Sequence, residues 1–231
     1  MDVEWTKRLA AFSAALLLIL GALSGCGKKE EAPGVDGAAS GDSSEYRPSP
    51  VNYVPPSNGY VPPENEEGYI VVTMPISIIE ISGATASELA EDFHSAEPPD
   101  GRITDIAANE DGSADYLFTL EQFERFKKDT YDSGCYAYGT GTFPESIKTV
   151  EYTNIDEDGI PWAAVATIDR ELYAKSQIDE LLGYTYGVAW PANYIGQYQI
   201  FCGIPGDEWS AHVILKDADT GEVLLESDFP T

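Results

Sequence analysis

Two stretches set acidic side chains two apart just ahead of a glycine, the arrangement that opens an oxygen-ligated calcium loop. One is Asn154-x-Asp156-x-Asp158-Gly159; the fainter one is Asp217-x-Asp219-x-Gly221. A calcium loop of the helix–loop–helix kind needs a bidentate Glu at its twelfth position. Counted from Asn154 that position is Val165, and from Asp217 it is Asp228, one carbon too short for the role. Both stretches lie between runs of strand-forming residues, where Asp and Gly are ordinary hairpin-turn residues. The turn reading outweighs the metal one, so no metal and no other cofactor is assigned.

Nucleophilic catalysis fails on inventory. The chain has two histidines, His94 near a predicted helix end and His212 inside a predicted strand. It has no G-x-S-x-G elbow, no C-x-x-C or H-E-x-x-H and no glycine-rich phosphate loop. Carboxylate pairs are plentiful: Glu88, Glu91 and Asp92 share a helix surface, and Asp156 and Asp158 share a turn. A glycosidase needs two such groups at a set separation, and a solvated acidic face is the default for surface carboxylates. The aromatics remain. Tyr131, Tyr136, Tyr138 and Phe143 cluster in one stretch, while Tyr184, Tyr186, Trp190, Tyr194 and Tyr198 lie in Leu181–Gly206, which carries no charge. Large aromatics mostly pack inside. Where exposed, Tyr and Trp make binding platforms for peptide or sugar. Tyr136, Tyr138, Tyr184, Tyr186, Trp190 and Tyr194 are the candidate binding surface.

Three cysteines occur: Cys26, Cys135 and Cys202. Lys7 and Arg8 precede an apolar run, Leu9 to Leu23, and Leu23-Ser24-Gly25-Cys26 closes it. At fifteen residues the run is short for a membrane span, which needs about 20, and its flanks read as a secretory signal. The four closing residues resemble the lipobox of bacterial lipoproteins. That resemblance implies a diacylglyceryl group on the Cys26 sulfur and cleavage just before it. Two acyl chains anchor stably where one does not. The expected location is therefore the extracytoplasmic face of the cell membrane, lipid-anchored. Export also places Cys135 and Cys202 where disulfides persist. A bridge between them would close a loop of 68 residues, worth roughly 4 kcal/mol on the chain-entropy account. Two buried thiols are the equal alternative.

Residues 26–68 read as a disordered Pro/Gly/Glu-rich tether, with too little apolar content to offset its ordering entropy. It contains a near-repeat, Asn52-Tyr53-Val54-Pro55-Pro56 and Gly59-Tyr60-Val61-Pro62-Pro63. A stiff stalk is the favoured reading; a ligand for an aromatic groove is the other.

Residues 69–231 must supply the fold. Tyr69 to Pro75 reads as a strand, and Ile76 to Ile81 as a second strand or extended turn. Thr85-x-x-Glu88 reads as a capping box opening a short helix, with Leu89 and Phe93 on its buried face. Ile103–Ala108 and Ala114–Phe118 flank Asn109-Glu110-Asp111-Gly112, a hairpin turn. Thr119 and Gln122 cap a second helix that Gly134 ends. Ile147–Asn154 and Trp162–Ile168 form another hairpin. Ser176 caps a third helix from Gln177 to about Ile195, with Pro191 forcing a kink or an end and Gly183 and Gly187 allowing close approach. Glu208–Lys216 and Glu222–Ser227 make the last hairpin. The class is α+β: a mostly antiparallel sheet built from hairpins, with about three helices on one face.

This order of elements resembles a family of uncharacterised lipoproteins from Gram-positive gut bacteria, of Firmicutes and Actinobacteria type. The match rests on Val72-Thr73-Met74-Pro75, Ala108 to Ser113 followed by Tyr116 to Leu120, Gly183-Tyr184-Thr185-Tyr186-Gly187, and Val213 to Val223. Tyr131 to Phe143 and the cysteines at 135 and 202 depart from it. The resemblance implies the fold and the location and no known activity.

Of 231 residues, 40 are acidic and 13 basic, for a net charge of −27. Residues 69–231 hold 30 of the acids and 8 of the bases. Such a surface repels nucleic acid and anionic headgroups. The expected protein is a membrane-anchored surface module that binds or spaces rather than an enzyme. Its partner would be an envelope protein, peptide or glycan. A carboxylate-dependent envelope hydrolase and a calcium-steadied adhesion module are the alternatives.

Overall fold

The computed structural model describes residues 59–96, 101–136 (backbone alone from 132) and 144–230. The signal segment, Cys26, the first Tyr-Val-Pro-Pro copy, Tyr138, Phe143 and the side chains of Cys135 and Tyr136 lie outside the described residues.

Strand β1 (Ile70–Met74) alternates inward Ile70, Val72 and Met74 with outward side chains, then stops at Pro75. Helix α1 (Ile76–Ile81) follows, where a strand or turn was expected. Neighbouring Ile78 and Ile79 are both buried, which a helix allows and a strand would split between two faces. Tertiary partners settle it: Asn193 donates to the Ile78 carbonyl and Trp209 Nε1 to Ser77 Oγ. Helix α2 (Ala86–Ser95) has the predicted capping box, Thr85 and Glu88 satisfying each other's backbone N–H. Leu89 and Phe93 are half-buried on it.

Strands β2 (Asp105–Ala108) and β3 (Ala114–Phe118) form the expected hairpin, and β3 also pairs with β1. The three make an antiparallel sheet in the order β1-β3-β2. Thr119 and Gln122 cap helix α3 (Leu120–Tyr136), which runs through Gly134.

Strands β4 (Ile147–Ile155), β5 (Pro161–Ile168), β6 (Ala211–Asp217) and β7 (Val223–Phe229) form a second sheet in that order. Two sheets thus stand where one was expected. Both predicted hairpins are present, yet β5 and β6 pair in parallel. Parallel neighbours need a long crossover. It comprises α4 (Arg170–Tyr173), α5 (Gln177–Tyr184), a π turn (Thr185–Ala189) and α6 (Trp190–Phe201). The class is α+β, with one mixed and one antiparallel sheet.

Pro191 neither kinks the crossover to a stop nor ends it at Ile195. The chain stays helical to Phe201. The wider π turn ends where Trp190 N–H reaches back five residues to the Thr185 carbonyl, and Pro191 then sits in the first turn of α6, where its missing N–H costs least.

Helix α6 is where the core converges. Phe201 meets Phe118 of β3 and Phe123 of α3, all three fully buried, with centroids 5.9 to 6.2 Å apart. Ala192 and Ile195 are also fully buried, as are Ala164, Ala166, Val213 and Leu215 of β5 and β6. Gly187 faces Leu215 and Ala166, as its spacing implied. Gly196 faces the Trp209 indole, and a Cβ there would come within 2.8 Å of Cε3.

Contacts begin ahead of Tyr69. Glu64 bridges to Ile70, and Asn65 Oδ1 accepts the N–H groups of Glu67 and Tyr69. All described residues fall in one compact unit, Pro48–Thr231.

Gly196→Ala tests the close approach. Alanine favours a helix by about 1 kcal/mol, but overpacking costs about 1–3 kcal/mol. The Trp209 ring is 2 % exposed and tethered to Ser77, so it cannot swing away. We expect a net loss of stability in urea unfolding; a gain would mean that the contact is slack.

Candidate functional site

The candidate aromatic residues come from one helical register. Tyr186, Trp190 and Tyr194 are four apart; such a step advances about 40° in an α-helix, and the one from Tyr186 to Trp190 crosses the π turn. They form a ladder: Tyr186 stacks on Trp190 at 5.2 Å and 26°, and Trp190 on Tyr194 at 5.5 Å and 29°. Because the stripe rotates, its members differ in burial. Tyr186 is 8 % exposed, while Trp190 and Tyr194 are half-buried. Tyr198 continues the series inward, against Tyr131 at 5.7 Å. Tyr184 is half-buried. Burial raises the phenol pKa of both Tyr184 and Tyr186, so each stays a protonated hydrogen-bond donor at neutral pH. The structure brings together Tyr186, Trp190 and Tyr194; Tyr138 and the Tyr136 side chain lie outside the described residues.

The acidic glycine-ended loops are turns, and in each of them one Asp carboxylate is hydrogen-bonded by the chain. Asp156 Oδ1 accepts the N–H groups of Asp158 and Ile160 at 3.0 and 2.9 Å, and Oδ2 accepts Trp162 Nε1 at 3.0 Å. Asp217 Oδ1 accepts Asp219 and Thr220 N–H at 2.8 and 2.9 Å. Asp111 Oδ1 accepts the N–H and hydroxyl of Ser113. In each loop a glycine follows at positive φ: Gly112 at 86°, Gly159 at 80° and Gly221 at 72°. The Asp accepts the N–H groups of a tight turn and the Gly takes the left-handed corner. Among the described residues no group of three or more His, Cys, Asp or Glu is arranged to hold a metal.

Other ionisable groups are spent in similar ways. Glu88 caps its helix through Oε2. His94 Nε2 lies 2.7 Å from Asp105. His212 lies between Asp228 (2.7 Å) and Glu226 (3.3 Å) on the neighbouring strand. Lys148 pairs with Asp169, and Arg170 with Glu222. Cys202 is buried beside Ile160 and Tyr198, and burial pushes its thiol up to about 11. A thiol that weakly acidic holds almost no thiolate at neutral pH, so it is a poor nucleophile. Its proposed bridge to Cys135 depends on a side chain outside the described residues.

Among the described residues no helix is long and apolar enough to cross a membrane. The charge-free run from Leu181 to Gly206 is instead the buried crossover. Helix α4 escaped sequence reasoning, although Asp169 carried a signal: it caps Glu171 and Leu172 N–H. Gln199 escaped as well. It is fully buried and hydrogen-bonds to Pro161 and Ser210.

No family model matches the chain, and neither the curated proteins nor the solved structures return a match.

The Asp217 carboxyl lies below its ordinary pKa, mainly because it accepts the Thr220 N–H, with Arg170 adding to the effect. A lowered folded-state pKa contributes stability above the unfolded value, about 3.9, that disappears as pH falls through the folded one. Asp217→Asn keeps an acceptor and loses the titration. We expect it to be less stable than wild type at pH 7, with the gap closing below about pH 4. A gap that is constant with pH, read by thermal unfolding, would contradict this assignment.

Proposed function

We propose that the protein is an extracytoplasmic lipoprotein. In this reading Cys26 is acylated and holds the chain at the outer face of the cell membrane, and the proline-rich segment carries residues 69–231 away from it. The folded part binds a partner and performs no chemistry of its own. The observation that carries the binding role is the Tyr186–Trp190–Tyr194 ladder, with two of its rings half-exposed on a buried, rigid helix. Tyr and Trp are over-represented among residues that dominate protein interfaces, since a large flat ring is ordered at little entropic cost. The charge excess sets the partner's character. A domain with 30 acidic and 8 basic residues draws neutral or basic polypeptides and repels acidic polymers. The partner class is therefore a neutral or basic segment of an envelope protein.

The test uses the full-length protein in its own cells. A photoreactive phenylalanine analogue at Tyr194 should yield one reproducible protein adduct, which Trp190→Ala removes at unchanged expression. No protein adduct, or an adduct indifferent to Trp190→Ala, would refute the binding role. The anchor is read separately. Cys26→Ser should abolish incorporation of labelled palmitate, and retained label would refute lipidation at that residue.

A further inference from the structure

The second Tyr-Val-Pro-Pro copy is seated on the folded domain. The Tyr60 ring lies flat over Gly203. A Cβ built on that glycine would stand 2.9 Å from Tyr60 Cγ, Cδ2 and Cε2. Gly203 also sits at φ +93°, a conformation side chains resist. Glycine is thus needed twice there, for the turn that leaves α6 and for the seat under the ring. Lys127 of α3 closes one side, its Nζ donating to the Tyr60 carbonyl at 3.3 Å. The same ammonium lies 5.9 Å over the Phe123 ring, which holds it in place. Beside the seat, Cys202 and Ile204 belong to a small apolar cluster with Ile160, Tyr198 and Tyr131.

The seat engages an aromatic ring and the carbonyl of the same residue. Two prolines follow, which pre-extend the backbone and lower the cost of ordering it. All of these features recur seven residues earlier, in Tyr53-Val54-Pro55-Pro56. Tyr60 and Val61 remain 40 % and 41 % exposed, so the occupant is held from one side and can leave without opening the core. Exchanging copies lengthens the loop back to β1 by seven residues, and closure entropy rises only slowly with loop length.

We infer that the Gly203–Lys127 seat is a receptor for Tyr-Val-Pro-Pro segments, and that residues 53–56 compete with residues 60–63 for it within one chain. The exchange moves the point at which the chain leaves the domain. Seven residues in a polyproline-like conformation span about 20 Å. The stalk then has two lengths, set by which copy is seated. This inference stands independently of the aromatic ladder and of the anchor.

The test places a photoreactive benzoylphenylalanine at Glu124, an exposed position one helical turn before Lys127, in the full-length protein, and maps adducts by digestion and mass spectrometry. The expected result is adducts on both 52–56 and 59–63. Tyr60→Ala should move them to 52–56, and Tyr53→Ala should confine them to 59–63. Tyr60 is 40 % exposed, so the fold survives its replacement; Gly203→Ala should diminish both adducts. An absence of adducts on 52–56 in Tyr60→Ala would overturn the inference. So would adducts joining isotopically labelled to unlabelled chains, because the segment would then serve a second copy.

Discussion

One buried amide holds the crossover in place. Gln199 lies on α6 with no exposure to solvent. Its Nε2 donates to the carbonyls of Pro161 and Ser210, each at 2.9 Å, and its Oε1 accepts the Ser210 N–H at 3.0 Å. Pro161 begins β5, and Ser210 directly precedes β6. These are the two strands that pair in parallel. A buried amide without partners costs several kcal/mol, whereas one with every group satisfied specifies a unique geometry. Gln199 therefore fixes where along the four-stranded sheet the helix lies.

Everything else on α6 follows from that position. Phe201, two residues on, joins the phenylalanine cluster of β3 and α3, so the three-stranded sheet is held through the same helix. Asn193 and Gly196 receive α1 and the Trp209 indole. The last turn delivers Gly203 to the Tyr60 ring. Upstream, the π turn sets the rotation at which Trp190 and Tyr194 leave the core while Tyr186 stays within it. Packing and the proposed binding face are thus two sides of one helix, which explains why a run without any charge can be both core and candidate surface.

The sequence was most legible where structure is decided locally. Both capping boxes, the Asp–Gly turns and the three hairpins depend on residues within a few positions of each other. Each appears where composition and spacing place it. Legibility fails where the deciding partner is distant. The isoleucines at 76, 78, 79 and 81 read as strand because they are β-branched, and contacts from Asn193 and Trp209 make them helix. The parallel pairing of β5 with β6 leaves no local mark, since each strand also belongs to a hairpin that reads antiparallel. Pro191 looked like a stop because the π turn that accommodates it has no sequence code of its own. For the candidate site, Tyr186, Trp190 and Tyr194 are legible as aromatics of one charge-free run, but neither their stacking nor which rings face outward can be read there. Gln199 is indistinguishable in the sequence from any polar residue in an apolar run.

The account depends on α6 joining the two sheets into one cooperative unit, with Gln199 as the tie. Native-state hydrogen exchange of wild type and Gln199→Leu tests this directly, because it reads the opening free energy of each strand separately. The slowest amides of β1 and β3 should share one opening free energy with those of β5 and β6. In the variant both sets should fall together by roughly 2–5 kcal/mol, as the backbone groups at Pro161 and Ser210 lose their partners. If the amides near Gln199 lost protection while those of β1 and β3 kept theirs, the sheets would be independent and α6 would not be the joint.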